Sequence, residues 1–149
     1  MRKYLVGLFI VVILAALYLL YGVEQTVSLS EFKNELTTAR KISVVVDMRS
    51  TPVAGTMINC GVALVENLET QGISTNYFFY DEQGCSYGSL KTSSKNASIK
   101  ECESKLVNSI VLYIRYNPNR NQTSFYKSKA VVEGDSDFLS DCAIARMIG

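Results

Sequence analysis

The sequence predicts an α/β protein: an apolar helix at the N-terminus, then a small domain in which strands and helices alternate around a mixed sheet. Three observations lead there. Tyr4 to Gly22, YLVGLFIVVILAALYLLYG, runs nineteen residues without a charge. Beyond it, Ser28-Leu-Ser-Glu31 and Ser98-Ile-Lys-Glu101 have the spacing of capping boxes, each opening a segment with helical apolar periodicity. Between and after them lie the runs ISVVVDM, TNYFFY and IVLYIRY, β-branched or aromatic and of strand length.

At about 1.5 Å per residue the apolar run reaches roughly 28 Å, close to the hydrocarbon thickness of a bilayer. Tyr4 at one end, with Tyr18 and Tyr21 near the other, suits rings that favour the headgroup level. A cleaved signal peptide is the competing reading. The run exceeds the usual roughly 7–15 residues, and no A-x-A-like site follows before Glu24, so an uncleaved anchor is expected. Arg2 and Lys3 precede the span and favour a cytoplasmic N-terminus, which puts the rest of the chain outside the cell membrane. The expected organisation is an anchor at 1–22, a short tether at 23–29 and an extracytoplasmic domain at 30–149.

Within that domain Leu29, Phe32, Leu36 and Ala39 have helical spacing, and a helix to about Arg40 is predicted. Ile42–Met48 is nearly continuous in apolar character, as a central strand buried on both faces would be. A helix over Met57–Gln71 would turn Ile58, Gly61, Val62, Val65 and Leu68 inward, with Gly72 at its C-terminal cap. Thr75–Tyr80 is a second strand. Asp81–Lys95, polar and rich in Gly and Ser, is expected to be a surface loop with room for one short strand. The Ser98 helix would bury Ile99, Cys102, Leu106 and Val107. Ile110–Tyr116 alternates, with Ile110, Leu112, Ile114 and Tyr116 on one face. Asn117–Gln122, NPNRNQ, is dense in turn formers and would join it to a strand over Ser124–Val132 as a hairpin. Asp135 caps a last helix through Met147, with Phe138, Leu139 and Cys142 inward.

Composition narrows the function. Setting Arg2 and Lys3 aside, thirteen cations face fourteen anions without a basic cluster, which argues against a nucleic-acid partner. The chain has no histidine, so the commonest general base and metal ligand is missing. No cofactor or metal is implied. The cysteines Cys60, Cys85, Cys102 and Cys142 are even in number, match no zinc spacing and contain no C-x-x-C. Two disulfides are the expectation in an oxidising compartment, and four cysteines allow three pairings. Asn96-Ala-Ser98 and Asn121-Gln-Thr123 fit the N-glycosylation acceptor pattern, at the frequency chance would supply.

Two side-chain sets invite chemistry. Asp47 and Arg49, with Ser50 and Thr51, follow the end of a central strand, where α/β proteins collect ligands, and would suit a small anion. The plainer alternative is a local ion pair and a turn. The acidic set Asp135, Asp137 and Asp141 lacks the pattern of a calcium loop, and carboxylates in a first helical turn are favoured by the helix dipole. Tyr77, Tyr80, Tyr113, Tyr116 and Tyr126 fall on predicted strands. Several of them facing outward together would make a protein- or glycan-contacting patch.

The order β-α-β-α-β-β-α, over roughly Ile42 to Ile148, resembles the thioredoxin fold. VVVDM, a turn of about eight residues, a helix ending at Gln71-Gly72 and a following strand are similar to that family's first βαβ unit. The resemblance implies that the first and last helices of the series share a sheet face, pairing Cys60 with Cys142 and leaving Cys85 for Cys102. The family's reactive C-x-x-C would fall in or just after RSTPVAGT, Arg49 to Thr56, where no cysteine pair stands. The proline that precedes its third strand is replaced by Asn108-Ser109. The expectation is therefore a single-span envelope protein whose disulfide-stabilised domain binds or supports an envelope protein or glycan without catalysis. A thiol-disulfide enzyme of atypical motif and a pilin-like filament subunit are the alternatives.

Overall fold

A computed structural model gives the architecture; the residues described are 1–22, 24–49, 51–52, 54–106 and 110–133. In chain order the elements are α1 (Arg2–Gly22), β1 (Thr26–Ser28), α2 (Leu29–Thr38), β2 (Lys41–Asp47), α3 (Ala54–Thr70) and β3 (Ser74–Tyr80). There follow β4 (Cys85–Ser89), β5 (Thr92–Ala97), α4 (Ile99–Ser104), β6 (Ile110–Asn117), β7 (Gln122–Lys127) and β8 (Ala130–Glu133). The strands form one eight-stranded mixed sheet in the order β1-β8-β7-β6-β2-β3-β4-β5. The predicted last helix, with Cys142 and the three aspartates, lies outside the described residues, as do Ser50, Val107 and Asn108-Ser109.

β2 is the hub, parallel to β3 on one side and to β6 on the other. Alternate side chains of a strand point to opposite faces. Ile42, Val44 and Val46 enter one apolar core with α2 and α3, while Val45 enters a second core with Cys102 and Leu106 at and just beyond α4. All four are fully buried. This is why the segment reads as continuous apolar sequence: helices cover both sides of it.

The helix boundaries follow the caps. Ser28 Oγ accepts from the Glu31 amide and Ser98 Oγ from the Glu101 amide, as both capping boxes predict. α3 ends in a Schellman turn: the Gly72 amide reaches the Glu69 carbonyl, the Ile73 amide reaches that of Leu68, and Gly72 has φ +81°. α3 starts three residues earlier than expected, and its inner face is rotated. Met57, Cys60, Gly61, Leu64, Val65 and Leu68 are buried, whereas Ile58 and Val62 are 37% and 39% exposed. Apolar residues lie all around this helix, so periodicity alone did not select the stripe.

The segment from Asp81 to Lys95 is no loop. It contains β4 and most of β5, an antiparallel extension beyond β3. Its residues, CSYGS and TSSKNA, carry little strand propensity, and pairing supplies what propensity does not. Asp81 Oδ1 makes the turn into it by accepting from the amides of Gln83 and Gly84. Three residues of the predicted tether form β1, which pairs in parallel with β8. The single strand expected over Ser124–Val132 is broken at Ser128, whose φ is +57°, into antiparallel β7 and β8.

Cys85 of β4 is bonded to Cys102 of α4, with a Cα–Cα separation of 6.5 Å. The bond pins α4 to the edge half of the sheet. Closing that seventeen-residue separation contributes about 3 kcal/mol on the chain-entropy view. Cys60 is also disulfide-bonded.

Two glycines of α3 predict opposite outcomes for one substitution. A Cβ on Gly61 would clash with Val46 Cγ2 of the hub strand. Gly55 has nothing within 4 Å of the same atom. Urea denaturation should find Gly61→Ala destabilising by about 1–3 kcal/mol through overpacking. It should find Gly55→Ala neutral or stabilising by up to about 1 kcal/mol through helix propensity.

Candidate functional site

Chain order reverses at β2. The α3 crossover leads to β3 on one side, and the chain later returns past α4 to β6 on the other. In open α/β sheets the crevice at the carboxyl ends of strands flanking such a reversal is where ligands collect. Here those ends carry a transverse row of polar side chains on the α4 face. Register sets Tyr80 of β3 opposite Asp47 of β2, Asp47 opposite Arg115 of β6, and Arg115 opposite Ser124 of β7.

Asp47 and Arg49 meet as expected, in a bidentate pair. Arg49 donates from Nε to Oδ1 at 2.9 Å and from a terminal nitrogen to Oδ2 at 2.7 Å, and its backbone amide adds a third bond to Oδ1. Burial pushes the Asp47 carboxyl up, but these bonds and the guanidinium charge outweigh it and hold the group below the usual carboxylate range. Arg49 also lies 5.4 Å from the ring centroid of Tyr80. Tyr80 is itself pushed up to about 12, chiefly by burial, and stays a neutral phenol.

Thr51 does not join them. Its hydroxyl contacts the Met57 sulfur at 3.3 Å, toward the other core. Ser50 lies outside the described residues. Of the set expected from sequence, Arg49 turns its fork to Asp47, and Thr51 contacts Met57.

The structure adds members that position along the chain did not flag. Arg115 stacks its guanidinium on Tyr113, 4.1 Å from the centroid, and lies 5.4 Å from that of Tyr126. The alternation of β6 contained this signal, since it places Tyr113 and Arg115 together on the face opposite Leu112 and Ile114. Among the described residues, Tyr80 Oη, Arg115 Nε and Ser124 Oγ are buried without a hydrogen-bond partner.

At the β7 side the row meets the start of the domain. Glu24, two residues beyond α1, accepts from Asn117 Nδ2 at 2.7 Å and from Arg120 at 3.0 and 2.8 Å. The Asn117 bond, and then Arg120, hold its carboxyl below the usual range. Nearby Tyr126 is raised, first by burial and then by Glu24. Glu24 thus ties the residues that follow α1 to the β6–β7 turn. Asn121, one of the two acceptor-pattern asparagines, sits in the adjoining turn at φ 50° and accepts from the Tyr116 hydroxyl. The other, Asn96, is exposed on β5, the last strand of the sheet.

Compared with known proteins, the chain matches no family profile, no curated protein and no solved structure. The reading of the site therefore rests on its own geometry. Asp47 is committed to Arg49 and Glu24 to Asn117 and Arg120, so the carboxylates act as fixed counter-charges. The arrangement braces the strand ends and presents neutral donors and aromatic rings.

Both carboxylates are held low, so the folded state gains from their ionisation. That gain is complete above the unfolded values near about 4 and is lost as pH falls through the folded values below them. Denaturation midpoints should be flat from neutral pH to about 5 and drop progressively below about 4. Asp47→Asn should shallow that drop and cost about 1 kcal/mol at pH 7. An unchanged acid profile in this variant would remove Asp47 from the account.

Proposed function

We propose that this chain is a membrane-anchored, extracytoplasmic binding or structural module, held close against the bilayer and not itself catalytic. The observation that carries the reading is the junction between α1 and the sheet. α1 has twenty-one residues, about 31 Å at the helical rise, and none of Arg2–Leu20 is buried against the rest of the chain. Such a surface needs an apolar environment of its own. Glu24 then grips the β6–β7 turn, and Thr26–Ser28 enters the sheet, which leaves almost no slack between helix and domain. A domain joined this tightly to a span sits close to the membrane surface.

The cysteines support the compartment. Cys60, Cys85 and Cys102 are each no more than 5% exposed, and each is in a disulfide. Buried disulfides serve as cross-links where the surroundings are oxidising. A thiol-disulfide enzyme would instead need a sulfur within reach of its substrate. The thioredoxin-like order is, on this reading, a likeness of scaffold and not of activity.

Protease added to intact cells should remove the domain after Glu24. Alkylation without reductant should label no cysteine, and all four should label after reduction and unfolding. A domain that survives outside protease while its four thiols react directly would end this reading.

A further inference from the structure

We propose that the groove between β3–β5 and the end of α4 is a binding site for an acidic saccharide, a sugar ring bearing a carboxylate or a comparable anion. The inference rests on the extracytoplasmic reading above and adds the ligand class. The groove has a volume of about 200 Å³ and opens on the α4 face of the sheet. Its aromatic surface is the half-buried Tyr87, paired across β3 and β4 with the buried Phe78 and stacked on it with ring centroids 5.9 Å apart and planes 15° apart. Lys95 from β5 and Lys105 from the α4 cap line it, together with Asn76 and Ser93.

Charge selects the occupant. No acidic side chain lines the groove. Among the described residues neither lysine has a carboxylate partner, in contrast to Lys127, which pairs with Glu35. The contact of Lys105 is with the Tyr87 ring, 5.1 Å to its centroid. Among the described residues Asn76 and Ser93 make no side-chain hydrogen bond, which leaves an amide and a hydroxyl as donors and acceptors. A lysine on an edge strand ordinarily guards that edge against pairing with another chain, which would account for Lys95 alone. It accounts neither for Lys105, on a different element and lining the same space, nor for the aromatic surface.

Shape separates a sugar from a peptide. The groove is smaller than the roughly 300–1,000 Å³ of sites for drug-sized ligands, with room for about one ring and its substituents. It lies on the face of the sheet, where an extended peptide would find no free backbone ladder; that ladder is at the outer side of β5. A pyranose lays its C–H face on an aromatic ring, turns its hydroxyls to amide and hydroxyl groups, and brings a carboxylate to the two ammonium groups.

The test is titration of the full chain, held in nanodiscs of zwitterionic phosphatidylcholine, with tetragalacturonate, its neutral methyl ester and a blocked hexaglutamate peptide. Tetragalacturonate should bind. The ester, and the pair Lys95→Gln with Lys105→Gln, should each weaken binding tenfold or more, and Tyr87→Ser should do the same. An intact Cys85–Cys102 peptide and unchanged circular dichroism establish that the variants are folded. No binding of tetragalacturonate, equal binding of acid and ester, or binding indifferent to the lysine pair overturns the proposal. Tighter, lysine-dependent binding of hexaglutamate overturns it too and assigns the groove to acidic peptides. Cell-surface proteolysis is independent of all these results, so a failed groove leaves the anchored module standing.

Discussion

A single strand that must be apolar on both faces governs this molecule. Ile42, Val44 and Val46 of β2 face α2 and α3, while Val45 faces the α4 side, and parallel neighbours occupy both edges. A parallel strand of this kind cannot be paired by tight hairpins and needs crossovers. α3 supplies one across the first face, and α4 lies on the route of the other across the second. In the first crossover Gly61 lies against Val46, where helix backbone and strand side chain leave no room for a Cβ without a shift.

From that hub the two ends of the sheet take different chemistry. At the carboxyl ends of β2 and β6, Coulomb attraction and hydrogen bonding work in a half-buried setting: Asp47 with Arg49, and Arg115 on Tyr113. Asp47 is matched there by Arg49, which lowers the cost of holding the pair out of water. In the β3–β5 groove the lysines have no carboxylate partner among the described residues. Matched charges brace a structure, and unmatched ones on an aromatic surface remain open to something else. This difference, more than depth or size, separates the structural cluster from the groove.

The two attachments of the domain are also distinct in kind. The Cys85–Cys102 bond fastens α4 to the edge strands, a part of the sheet with few large apolar side chains of its own. Glu24 fastens the opposite part, the β6–β7 turn, to the end of α1 by charge and hydrogen bonds. The covalent link resists unfolding of the weakest strands. The ionic link joins the residues after the apolar helix to the sheet and responds to pH.

How much was legible in advance depended on whether the signal was local. The apolar helix, both capping boxes, the Schellman glycine, the hub strand and the β6–β7 hairpin are set by interactions within a few residues or by an unmistakable period, and the sequence by itself determined them. The Asp47–Arg49 pair was readable for the same reason, being two residues apart. Tertiary structure alone decided what depends on partners distant in the chain. β4 and β5 exist because β3 offers an edge and Cys102 a bond, not because CSYGS or TSSKNA prefers to extend. The inner stripe of α3 was chosen by contact with β2, since apolar residues around its circumference left the period undecided. Arg115 met Asp47, Lys105 met Tyr87, and Glu24 met Arg120 through strand register and helix placement. A linear sequence does not encode such juxtapositions until a sheet has formed to bring them together.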